Sequence, residues 1–338
     1  MQKNLKKSPL SPPSFVWTKG NVKEGKMNEW IIPIQEAVEI EPEDAWDVVM
    51  FGIPLSRSSI SVSGASEFPD AFRRGWKGFS TYNLDEEIDL EELKVLDAGN
   101  VEMHFTDISL SHSNIARSME TLTNQFPHSM ITAIGGDHSI TAMVVKGIKN
   151  AGKNETIGIL QLDTHFDLRD LKDHGPTNGT PIRNLIESGI IEGTNVHNIG
   201  LHGFFNGKGL VEAAEVYGVN YTTIRKAREQ GVVNAVKESL EILGDKVDRI
   251  HLTVDMDVLD IAYAPGVPAS TPGGMTTDEL FQAVFAAGLH EKVKSMDIVC
   301  LDPTKDHPSQ PTVKAGIHVF LSFLSGYAKR KNNRGSLE

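Results

Sequence analysis

The segment DTHFD, Asp163 to Asp167, sets two carboxylates and an imidazole on alternate positions directly after the apolar run 157–162. In an extended chain alternate side chains share a face, so Asp163, His165 and Asp167 can converge. The spacing recurs in DMD, where Asp255 and Asp257 follow the apolar stretch 250–254. Carboxylates crowded at the end of a buried strand repel one another and lose hydration, so they require a cation or a retained proton. A third cluster, GGDHS, brings His138 just after two glycines, Gly135 and Gly136, that allow close backbone approach. Asp163, Asp167, Asp255 and Asp257 carry four negative charges, and His138 and His165 can ligate as neutral imidazoles. Two divalent ions balance that set, where one would leave two charges over. Oxygen-rich ligation with imidazole and no thiolate favours Mn2+ over a structural zinc. Two such ions about 3.5–4 Å apart activate a shared water as a nucleophile at neutral pH. The chemistry expected of these residues is two-metal hydrolysis.

These clusters need a scaffold that brings them together. From residue 47 onward, short β-branched apolar runs alternate with segments of helical character. Strands are expected at 47–53, 94–97, 130–134, 156–162, 195–200, 220–223, 249–254 and 294–301. Helices are expected at 69–76, 107–125, 139–150, 181–188, 224–243, 276–287 and 312–325. Thr276 followed by early acids is a start signal, and Gly288 is read as the stop. Near-continuous apolar strands suit a parallel sheet buried on both faces. The alternation predicts a three-layer α-β-α domain with a mostly parallel central sheet over 31–330. It is flanked by a loose arm at 1–30 and a tail at 331–338. In such sheets ligands lie beyond the carboxyl ends of the strands, where GGDHS, DTHFD, DMDVLD and CLDP all fall.

The whole chain, 338 residues with a formal charge of −12, argues against a nucleic-acid partner, which would want a basic stripe. A single cysteine, Cys300, permits no intrachain disulfide and fits a reducing, cytoplasmic setting. No apolar run is long enough to span a membrane, and the opening MQKNLKKSPLSPPS has no apolar core of the kind a signal peptide needs.

In this order GGDHS, DTHFD and DMDVLDIAYAPG resemble the three signatures of the ureohydrolase family, which includes arginase and agmatinase. GIPLSRSSISVSGAS and GPTNGTPIRNLIESGIIEG look most similar to its formimidoylglutamase branch. The resemblance spans nearly everything after the N-terminal arm. It implies an arginase-like fold, two Mn2+ per subunit and a homo-oligomer, a trimer or hexamer. It further implies that His138 and Asp167 belong to one ion and His165 and Asp257 to the other. Asp163 and Asp255 would bridge the ions and act through the hydroxide between them. The substrate implied is a linear amidine, N-formimino-L-glutamate, cleaved to L-glutamate and formamide. The alternatives are a guanidino hydrolase or a catalytically weakened metal-binding homologue.

Two positions depart from the wider family. Asn178, in NGTP, stands where arginase and agmatinase carry the histidine of an HGxP loop, which favours the formimidoylglutamase branch. His174, four residues earlier, is a second candidate for that histidine's role. Cys300, in VCLDP, stands where the family carries a glutamate that holds the substrate's cationic group, and a neutral thiol cannot replace that two-point contact. Arg169 is a candidate for a substrate carboxylate, with a salt bridge to Asp170 or Asp173 as its other reading. Asp137 is expected to support the site from behind. The substrate-binding set is therefore Asn178, Arg169 and Cys300.

Overall fold

The computed structural model describes residues 8–18, 20, 24–37 and 46–335, without the side chains of residues 174, 334 and 335. Twelve strands are seen among them: β1 (Leu10–Ser11), β2 (Ile32–Pro33), β3 (Val48–Gly52), β4 (Tyr82–Asn83), β5 (Ile88–Asp89), β6 (Val95–Val101), β7 (Met130–Ile134), β8 (Ile157–Leu162), β9 (Val196–Leu201), β10 (Asn220–Thr223), β11 (Arg249–Asp255) and β12 (Val293–Val299). Ten form one sheet in the order β1-β6-β3-β7-β12-β11-β8-β9-β10, with β2 beside β6, and β4 and β5 make a separate ribbon. Every pairing in the large sheet is parallel except β1 with β6. Strands β3, β7, β8, β9 and β11 are buried along their whole length. This is the consequence of helices on both faces, and it is why β3 and β7 read as largely apolar runs.

The main helices are α1 (Phe68–Gly75), α2 (Ile108–Gln125), α3 (Ser139–Ala151), α4 (Pro181–Glu187), α5 (Lys208–Tyr217), α6 (Ile224–Gln230), α7 (Val232–Lys246), α8 (Thr277–Leu289) and α9 (Pro311–Gly335). The three-layer expectation holds, and most boundaries fall within a few residues of the reading above. Thr276 caps α8 with Glu279 in a reciprocal capping box, as its sequence suggested.

Five expectations need correction. The arm at 1–30 is not loose over its described residues: Leu10 pairs with Val101, and Trp17 Nε1 donates to the Arg73 carbonyl at 2.8 Å. An unpaired edge of β6 offers backbone donors and acceptors that a short strand satisfies. The tail is not separate either, because α9 continues to Gly335. The helix expected over 224–243 is two helices, broken at Gly231, whose φ of 88° closes α6. Helix α5 was not foreseen, because the glycine-rich stretch before it hid its start. Gly288, read as a stop, lies inside α8.

Gly288 is there for packing. A Cβ on it would lie 2.2 Å from the Phe323 carbonyl oxygen, and one on Gly326 would lie 2.1 Å from that of Phe285. Helices α8 and α9 thus cross with backbones almost touching, and glycine is what that approach requires. Gly288→Ala must push α9 outward, and we expect it to destabilise the protein by about 1–3 kcal/mol, as measured by urea denaturation.

Candidate metal centre

Four neighbouring strands, β7, β12, β11 and β8, end beside one another and deliver the chemistry-bearing loops to one crevice. Because β7 and β8 are consecutive in the chain but separated by two strands in the sheet, a gap opens at their carboxyl ends where a ligand can lie. His138 stands at the amino end of α3, Asp163 closes β8, and Asp255 closes β11 with Asp257 in the turn that follows. All six candidate ligands converge there. Five of them form two compact sets, His138 with Asp163 and Asp167, and Asp163 with His165 and Asp257, with Asp163 common to both; Asp255 groups with His138 and the Cys300 thiol.

The four carboxylates are buried, none more than 6% exposed, and no lysine or arginine among the described residues pairs with them. His138 is fully buried, and its Nδ1 faces Asp167 Oδ2 at 2.7 Å, Asp255 Oδ2 at 3.0 Å and Asp163 Oδ2 at 3.3 Å. None of these contacts is aligned as a hydrogen bond, so a buried nitrogen points at three carboxylates without a partner. His165 Nδ1 meets Asp257 Oδ2 at 2.9 Å. Burial and the charge of Asp255 push Asp257 well above the usual carboxylate range, and burial and the charge of Asp163 push Asp167 up to about 7. Two buried acids that resist ionising, among four crowded carboxylates around an imidazole nitrogen with no hydrogen-bond partner, fit divalent cations by charge and by donor type.

The backbone is shaped to the same end. Asp167 and Cys300 both adopt positive φ, 56° and 64°, a region disfavoured for residues with a Cβ and held only where surroundings fix it. Asp137 accepts from the amides of Ser58 and Ser139, each at 3.1 Å, and so ties the GGDHS turn to the loop after β3.

The substrate-binding candidates separate. Arg169 and Asn178 line a cavity of about 170 Å3 that opens over His165, Asp167, Asp255 and Asp257. Arg169 makes no ion pair among the described residues, and Asp170 pairs with Arg183 at 3.0 Å instead. Asn178 Oδ1 accepts from the Ile60 amide at 2.8 Å, joining the two loops that rim the cavity. Cys300 is not on the cavity lining. Its thiol is grouped with His138 and Asp255, and burial together with the Asp255 charge pushes it far up, so it stays neutral. The side chain of His174 lies outside the described residues.

Sequence reasoning missed the residues that hold the ligands. Gln161, fully buried on β8, donates from Nε2 to Asp163 Oδ2 at 2.7 Å. Asn198 Nδ2 donates to the His165 carbonyl at 2.7 Å, and Thr164 Oγ1 to that of Asp257 at 2.8 Å. The available signal was a lone amide or hydroxyl inside an otherwise apolar strand, as in ILQLD, where a polar group must have a partner.

Fold and site together define a three-layer α/β hydrolase built around carboxylate and imidazole donors. The chain belongs to the arginase family, whose family model matches residues 46–326. It is 42% identical to a formimidoylglutamase of Halalkalibacterium halodurans over 277 residues, 82% of this chain and 86% of that protein. The crystal structure of formimidoylglutamase from Bacillus subtilis superposes with a TM-score of 0.84 at 36% identity, covering 93% of this chain and 95% of that one. A formiminoglutamase variant of Trypanosoma cruzi, solved with Mn2+2, superposes with a TM-score of 0.78 at 25% identity, covering 87% and 96%.

Because Gln161 orients Asp163, Gln161→Leu should weaken Mn2+ binding by about tenfold, as partners behind a metal site usually do. Titration of the metal-free protein, with circular dichroism to confirm the fold, measures this.

Proposed function

We propose that this protein hydrolyses N-formimino-L-glutamate to L-glutamate and formamide and holds two Mn2+ to do so. The observation that carries the reading is the pair of donor sets sharing Asp163 beneath a cavity rimmed by Arg169 and Asn178. The kinship to formimidoylglutamases supports the substrate. His138 and Asp167 would serve one ion, His165 and Asp257 the other, and Asp163 and Asp255 both. When bound, such ions lower the pKa of a shared water and stabilise negative charge that develops on the reacting centre.

The chain's own residues do the rest. The water oxygen bonds to the formimino carbon, the bond from that carbon to the glutamate nitrogen breaks, and the nitrogen leaves with a proton. Arg169, at the mouth of the cavity and free of an ion pair among the described residues, is placed to receive a substrate carboxylate. Asn178 fixes the loop opposite, through the Ile60 amide, and so shapes the space that the amidine enters. The neutral thiol of Cys300 offers no charge to a guanidinium or amidinium. Assembly as a homo-oligomer belongs to the same proposal. A wide groove of about 1160 Å3 beside β10, at whose rim Phe204 is wholly exposed, supports it.

The Mn2+-loaded protein should release glutamate and formamide from N-formimino-L-glutamate at roughly 1–10³ s⁻¹, and no urea from arginine or agmatine at comparable rates. Urea release at such rates, or inactivity on the formimino substrate with two Mn2+ bound, overturns the proposal. Arg169→Ala should raise KM for N-formimino-L-glutamate about tenfold or more, the loss of one charge-assisted contact, with the metal content unchanged. Steady-state kinetics beside elemental analysis checks this.

A further inference from the structure

Behind His138, away from the cavity, lies a closed polar chain through the centre of the sheet that no step of the hydrolysis uses. His251 and Thr253 alternate with Asp255 on β11, and Ser295 and Asp297 sit opposite them on β12, in register as His251 with Ser295 and Thr253 with Asp297. All of these but Asp255 are fully buried, and so is Thr141 on α3. His251 Nε2 lies 2.9 Å from Asp297 Oδ2, and its Nδ1 lies 2.9 Å from Ser295 Oγ. Thr141 Oγ1 donates to the same Asp297 oxygen at 2.8 Å. Thr141 Oγ1 and Thr253 Oγ1 are 3.4 Å apart, and Thr253 Oγ1 is 2.9 Å from His138 Nε2.

The direction of every bond in this chain follows from its far end. A carboxylate only accepts, whereas a hydroxyl has one proton to give. Thr141 gives its proton to Asp297, so between the two threonines Thr253 is the donor. Thr253 has then spent its own proton and can only accept from His138. In the neutral imidazole that a metal ligand must be, the one ring proton is thereby placed on Nε2 and the lone pair on Nδ1, the atom that faces Asp163, Asp167 and Asp255.

We propose that the buried Asp297–His251 pair is a positioning device, relayed by Thr141 and Thr253, that fixes the ring tautomer and orientation of His138 for metal binding. The inference rests on reading His138 as a ligand of one of the two ions. A histidine ligand generally donates its second ring N–H to a fixed acceptor; here the acceptor is a neutral hydroxyl whose polarity a remote carboxylate sets. The buried ion-pairing groups also explain one another. A carboxylate and an imidazole wholly inside a sheet are unfavourable unless paired, and what they gain for the protein is a chain with a single sense.

The test is Mn2+ titration of the metal-free protein, wild type against Thr253→Val, Thr253→Ser and Asp297→Asn, with circular dichroism to confirm the fold. Thr253→Val should weaken one of the two Mn2+ sites by about 10–100-fold and leave the other near its wild-type affinity. Thr253→Ser, which keeps the hydroxyl, should stay within about threefold. Asp297→Asn, whose amide can donate as well as accept, should resemble Thr253→Val, and the double variant should be no worse than either, as members of one chain behave. Wild-type binding of both ions by Thr253→Val, or equal weakening of both sites, overturns the inference while leaving the metal centre intact. So does a serine variant as weak as the valine one. A wild-type protein that binds no Mn2+ overturns both. Should Asp297→Asn fail to fold, the valine and serine pair still decides the question.

Discussion

Mutual repulsion among four buried carboxylates is the constraint on which the rest of this structure depends. Asp163, Asp167, Asp255 and Asp257 are buried, and none of them is ion-paired with a lysine or arginine among the described residues. Left alone, such a cluster drives protonation or local opening, because burial removes the hydration that would stabilise each charge. The protein resists that by spending backbone and side-chain donors on the acids. Gln161 holds Asp163, the Asp257 amide donates to Asp255 at 2.9 Å, and the His165 amide to Asp163 at 2.6 Å. What these donors leave unsatisfied is a partnerless imidazole nitrogen at the centre, and that is the space a cation fits.

The sheet makes the arrangement rigid enough to persist. Strands buried on both faces cannot shift without exposing apolar surface, and the four central ones carry the loops. Two residues, Asp167 and Cys300, are kept at positive φ. The bond from the Cys300 amide to the Gly136 carbonyl at 2.9 Å knits the loop after β12 to the GGDHS turn. Strain of this kind survives only in a scaffold that over-determines it.

The cavity lining and the donor cluster come from different parts of the chain. The donor sets lie on strand ends and tight turns. Arg169 and Asn178 lie on the connecting loops that line the cavity with His165, Asp167, Asp255 and Asp257. Cys300 is grouped with His138 and Asp255.

The clustering of His138, Asp163, His165, Asp167, Asp255 and Asp257 was legible in the sequence because strand ends in a parallel sheet are where apolar runs meet polar residues, and alternate spacing puts i and i+2 on one face. DTHFD, DMD and GGDHS announce themselves by that local pattern, and buried strands announce themselves by apolar composition. Neighbours in space but not in sequence were not legible. Nothing near residue 138 shows that its ring rests on Thr253, or that Thr253 answers through Thr141 to Asp297 and His251. Gly288 reads as a helix stop because a helix interior does not want glycine; only the crossing of α8 and α9 shows why it is there. Cys300 reads as a substrate residue from its place in the chain, and only the turn after β12 shows its thiol grouped with His138 and Asp255. Sequence determines short-range periodicity and residue chemistry. Which strands become neighbours, and so which buried groups can satisfy one another, is settled only when the sheet closes and desolvation makes an unpaired polar atom inside it costly.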